Sequence, residues 1–216
     1  MPFLVLFIAV SLGNIAGHAA KLPPLRYATK PLIVPFLALY YWSSAAVAEP
    51  LILAALGAGW IGDIALMIPD RAGTRAPLKA GIAAFLVGHL FYVAAFLPWA
   101  WRGGAFPAWG LPCFLPFVAG IAAALLLDRS AAREMPVPVY SYIAVIGLMG
   151  LSTVFSLGAL PLANAAMLMI GAGAFMFSDM YNSYSRLVSR LPREGSVVMS
   201  SYCLGQYLII RSCLPL

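Results

Sequence analysis

Two aspartates stand in apolar surroundings where an ionisable side chain is costly: Asp63, in Gly-Trp-Ile-Gly-Asp-Ile-Ala-Leu-Met-Ile-Pro, and Asp179, in Phe-Met-Phe-Ser-Asp-Met-Tyr-Asn-Ser-Tyr-Ser-Arg. A pair of carboxyls can divide acid–base work, one giving a proton while the other stays anionic. The remaining acids, Glu49, Asp70, Asp128, Glu134 and Glu194, fall at or beyond the ends of apolar runs. Asp63 instead lies six residues before Pro69, about 9 Å inside the end of a helix rising 1.5 Å per residue. An ionisable group at that depth points to function and needs a partner, for which Lys30 is the candidate. The plainer alternative is that Asp63 only ties helices together, through Lys30 or a backbone group.

His89 adds a neutral proton carrier. Phe85, His89, Tyr92 and Phe96 follow helical spacing on one face. A histidine on such a face is more often a hydrogen-bonded core residue than a ligand. His18 is its one companion, so a three-histidine zinc site cannot be assembled, and only a mixed His and Asp site is left open. No cofactor is called for. Asn182, Ser183 and Arg186 follow Asp179 at helical spacing, so that helix leaves its apolar run along a polar face. Lys30, just before Pro31, reads either as a flanking cation or as a group that meets phosphate or balances Asp63. Asn14 reads as a packing hydrogen bond between helices. There is no GxSxG elbow, HExxH or phosphate-cradling glycine loop. Cys113, Cys203 and Cys213 form no CxxC pair.

These residues sit in a chain of 216, of which 63% are hydrophobic and only 9% charged. A soluble domain would carry about 25% charged residues, so an all-α polytopic membrane bundle is expected. The formal charge of +6 forms no basic stripe, which excludes nucleic-acid binding. About 20 apolar residues per span gives eight transmembrane helices, near 2–20, 31–48, 50–68, 79–99, 111–127, 136–155, 160–181 and 197–214, in a single integral membrane domain. The first is read as a span rather than a cleaved leader, because no Lys or Arg precedes Lys21. Pro31, Pro50, Pro112, Pro136 and Pro161 are expected at helix starts, and Glu49-Pro50 at a tight turn between antiparallel spans two and three.

Alternate connections hold eleven of the thirteen Lys and Arg, leaving Arg102 and Arg211 on the other side. By the positive-inside rule both termini are non-cytoplasmic. A faint repeat, Gly62-Asp63 with Gly88-His89 against Ser178-Asp179 with Gly205-Gln206, would divide the chain into two parallel four-helix halves with the aspartates in equivalent places.

Lys30-Pro-Leu opening span two, Gly62-Asp63 with Leu66, the stretch from Gly81 to Tyr92 and Gly173-Ala-Phe-Met-Phe-Ser-Asp179 together resemble the YhhN-like, or lysoplasmalogenase, membrane family, in matching order from about residue 22 to 213. After Asp179 the sequence departs from the family's usual small and apolar residues. The resemblance implies a hydrolase of the lysoplasmalogen vinyl ether bond, giving a fatty aldehyde and glycerophospho-ethanolamine or -choline. Its partners would be a lysophospholipid substrate and the bilayer, here of a bacterial inner membrane. Asp63, Asp179 and His89 would then be catalytic, the deeper Asp63 as acid and the more hydrated Asp179 as anion. Tyr92 would help His89 hold water, and Lys30, Arg26, Asn182 and Arg186 would bind the substrate's polar end. A small transporter or lipid-binding protein with an Asp/His relay is the rival from another class.

Overall fold

The computed structural model describes residues 2–71, 73–102 and 104–215. Among the described residues all regular structure is helical. Eight long helices, α1 (Pro2–Ala19), α2 (Pro23–Ser44), α3 (Pro50–Met67), α4 (Ala76–Phe96), α6 (Leu115–Leu127), α8 (Pro136–Val154), α9 (Leu162–Leu187) and α10 (Glu194–Ser212), are joined by the short α5 (Trp99–Arg102) and α7 (Arg129–Glu134). Single 3₁₀ segments, Ala108–Phe114 and Phe155–Gly158, precede α6 and follow α8. Among the described residues, six helical stretches are long and apolar enough to cross a membrane; α2 and α10 fall outside that set.

Helix α2 begins eight residues earlier than Pro31, the start expected from the sequence. Pro23 and Pro24 occupy its first turn, where a missing N–H costs nothing. Pro31 and Pro35 are therefore interior, and Lys30 lies within the helix rather than at its mouth. An interior proline leaves a carbonyl one turn back without its donor. At Pro35 that carbonyl belongs to Pro31, and the Trp60 indole N–H of α3 donates to it at 2.8 Å. Pro112 likewise lies inside a 3₁₀ segment rather than at a helix start. Glu49 does precede Pro50 at the start of α3, its N–H donating to the Tyr41 hydroxyl at 3.1 Å. Helix α9 runs to Leu187, past the expected end at 181; in this extension the Ser183 hydroxyl donates to Asp128 at the end of α6 and Arg186 to Asn182 one turn back.

Helix contacts run α1–α2–α3–α4–α8–α9–α10 and back to α1, with α6 laid against α8 and α9. The tightest pairs, α9 with α10 and α3 with α4, meet through glycine: a Cβ on Gly205 would lie 2.8 Å from the Phe175 backbone nitrogen, and one on Gly88 would lie 3.1 Å from the Ala55 carbonyl. Each pair carries one of the two aspartates. Asn14 ties α1 to α2, donating to the Arg26 carbonyl at 3.1 Å and the Thr29 hydroxyl at 2.9 Å. Tyr41, Phe96, Leu56, Met149, Leu168 and Ile209 fill the core.

Candidate active site

A cavity of about 900 Å³ lies among these helices. Its polar end gathers Arg26 and Lys30 of α2, Asp63 of α3, Asp179 and Asn182 of α9 and Tyr202 of α10. From there an apolar wall follows one face of the α6 segment, through Ala124, Gly120 and Pro116 to Cys113, at spacings of three and four residues. Helical rise makes this wall about 20 Å long from Asp128 to Cys113. Ile143 and Ile146 of α8 and Met169 and Met176 of α9 face it.

The two carboxyls have different partners. Lys30 Nζ lies 3.3 Å from Asp63 Oδ1, and the Tyr202 hydroxyl donates to Asp63 Oδ2 at 2.7 Å. Asp179 Oδ2 accepts from the Tyr142 hydroxyl of α8 and stands 3.8 Å from His89 Nε2. Asp63 thus has a lysine beside it, whereas Asp179 has a phenol and an imidazole. The Asp179 side chain, 13% exposed against 5% for Asp63, is the more open of the two.

His89 stands behind Asp179 and not in the cavity wall. Its Nδ1 is 2.7 Å from the Phe85 carbonyl, which can only accept, so Nδ1 carries a proton. Nε2 is buried without a hydrogen-bond partner and faces Asp179 across 3.8 Å. The rings of Tyr142 and Phe175 meet the imidazole edge to face, with centroids 5.5 and 5.0 Å away, and fix its plane.

Of the residues singled out in the sequence, the cavity brings together Lys30, Asp63, Asp179, Arg26, Asn182 and Arg186. Arg186 donates from Nε to the Asn182 side-chain oxygen at 2.8 Å. Tyr92 is not among them: it lies outside the cavity wall, its hydroxyl donating to Gln206 Oε1 at 3.0 Å. It joins α4 to α10 instead of holding water beside His89. Tyr142 and Tyr202, which bind the two carboxyls, were not legible beforehand, since ten tyrosines are scattered through the chain and neither has distinctive neighbours. The sequence suggests a loop acid at Asp128, yet it is 3% exposed and lines the cavity. Among the described residues, no three of His, Cys, Asp and Glu come together as a metal-ligand set.

A helical bundle built around an internal cavity with a polar, two-carboxyl end defines the class: a multi-pass membrane protein with a buried site. The YhhN family model matches residues 25–213, most of the chain, and the chain belongs to that family. The comparisons with curated proteins and with solved structures gave no match.

Proposed function

We propose that this YhhN-family protein is a lysoplasmalogenase-type hydrolase, cleaving the vinyl ether of a lysolipid to a fatty aldehyde and a glycerophospho-alcohol. One observation carries the reading: two buried carboxyls with unlike partners meet at the polar end of a cavity whose other end is a long apolar wall. Such a shape suits a molecule with one chain and one charged head.

The chemistry requires a proton on the β-carbon of the vinyl ether, then water on the resulting oxocarbenium carbon, then collapse of the hemiacetal. The partners favour a division of roles opposite to the one expected from depth. Asp63, beside Lys30 and the Tyr202 hydroxyl, serves as the anion. Asp179, with no lysine or arginine in ion-pair contact among the described residues, serves as the acid, with His89 behind it, Nε2 3.8 Å away, as a group that positions the carboxyl.

In the first step Asp179 gives its proton to the β-carbon, and the ether oxygen shares the positive charge that forms on the adjacent carbon. Asp63 stabilises that charge and takes a proton from the attacking water. Asp63 then returns this proton to the glycerol oxygen as the carbon–oxygen bond breaks. The hemiacetal hydroxyl proton goes to Asp179, leaving an aldehyde and an alcohol and both carboxyls in their starting states. One water is consumed. Lys30 keeps Asp63 in place throughout, and Arg26 and Arg186 meet the lipid phosphate.

Purified protein in detergent, with no ion gradient, should release aldehyde from a vinyl ether lysolipid. A transporter with an Asp/His relay would release none.

A further inference from the structure

Tyr92 and Gln206 are buried polar residues that this mechanism leaves unused. They are 2% and 1% exposed and neither lines the cavity, so neither can touch a substrate held there. The Tyr92 hydroxyl donates to Gln206 Oε1 at 3.0 Å, which fixes the way the amide faces. Its Nε2 end is turned toward α3, 3.8 Å from where a Cβ on Gly59 would lie. Gly59 stands one turn before Asp63 on α3, and Gln206 one turn after Tyr202 on α10. The amide therefore sits one turn behind the Asp63–Tyr202 bond, between the same two helices, in side-chain hydrogen-bond contact with the Tyr202 hydroxyl.

Three donors then run in one direction: Tyr92 O–H to Gln206 Oε1, Gln206 N–H to the Tyr202 oxygen, and Tyr202 O–H to Asp63 Oδ2 at 2.7 Å. An amide N–H can only donate, so it occupies the phenol oxygen's lone pair and leaves the hydroxyl proton for Asp63. Hydrogen bonds aligned in this way polarise one another and strengthen the last of the series. The rings of Phe85 and Phe175 meet the Tyr202 ring at steep angles, with centroids 6.5 and 5.3 Å away. Ring packing thus sets where the phenol lies, and the amide sets where its proton points.

We propose that Gln206, itself set by Tyr92, is a positioning residue for Asp63, acting through Tyr202 to hold the phenol's proton on the carboxylate. The inference rests on the hydrolase reading of the cavity. Its test is a double-mutant cycle on aldehyde release from a vinyl ether lysolipid by the purified protein. Tyr92→Phe together with Gln206→Met removes both polar partners at once, so the helical circular dichroism should be unchanged. This pair should lower kcat about 2- to 10-fold, the worth of one neutral hydrogen bond, with KM unchanged. In a Tyr202→Phe background, where no hydroxyl is left to aim, the same pair should lower kcat no further. Tyr92→Phe alone, the mildest change, should follow the same pattern with a smaller fall, and carries the test should the pair fail to fold. An equal fall in both backgrounds, a changed KM with unchanged kcat, or no change in either constant overturns the positioning role and leaves the hydrolase reading standing. Wild type that releases no aldehyde overturns both.

Discussion

Lys30, Asp63 and Tyr202 come from α2, α3 and α10 and meet on one carboxyl, so each tests the others. Lys30→Met leaves a buried carboxylate without its cation and should cost about 3 to 5 kcal/mol in thermal unfolding. Lys30→Met with Asp63→Asn should regain most of that stability and none of the aldehyde release. Asp63→Asn or Asp179→Asn alone should lower the rate about 10²- to 10⁴-fold with the helical circular dichroism unchanged. Asp128 adds a pH signature. Burial raises its carboxyl above the ordinary carboxylate range, with the Ser183 hydroxyl opposing. The folded state then holds this proton more tightly than the unfolded chain, so stability falls as pH rises through the interval between the two values. Asp128→Asn should remove that fall and unfold at a higher temperature than wild type at neutral pH. At this scale the sequence already marked Asp63, Asp179 and Lys30, because a charge inside an apolar run is conspicuous. Tyrosines are at home in such runs, which hid Tyr142 and Tyr202, and Asp128 looked like a loop residue because its burial depends on a helix 55 residues away.

The elements were legible where apolar length decides them and less so where polar residues extend a helix. Helix α9 continues beyond its apolar part because its polar residues find internal partners, and α2 starts early because its first prolines need no donor. Glycines give the sharpest tests of helix position. Gly205→Ala would drive a methyl to within 2.8 Å of the Phe175 backbone, which cannot rotate away. Forcing α9 and α10 apart should cost about 1 to 3 kcal/mol and displace Tyr202 from Asp63. Gly173 faces the cavity with nothing within 4 Å of an added Cβ. Gly173→Phe should fold normally and fill the space beside the apolar wall, lowering activity on long-chain lysolipids more than on short-chain ones in a chain-length series.

Across the whole molecule, the cavity collects residues from α1, α2, α3, α4, α6, α8, α9 and α10, so no single segment contains the site. Sequence spacing could place Asp63 and Asp179 at similar depth but could not say that they share one chamber, since that depends on how the ring of helices closes. Nor could it give their partners, on which the proposed roles of the two acids rest. The central claim is that a carboxyl at the polar end protonates carbon, and isotope incorporation tests it most directly. When a vinyl ether lysolipid is hydrolysed by the purified protein in D₂O, mass spectrometry of the aldehyde should find one deuterium on the carbon next to the carbonyl. Asp179→Asn should form that product far more slowly. Aldehyde formed without the deuterium, or undiminished formation in both Asp63→Asn and Asp179→Asn, would contradict it.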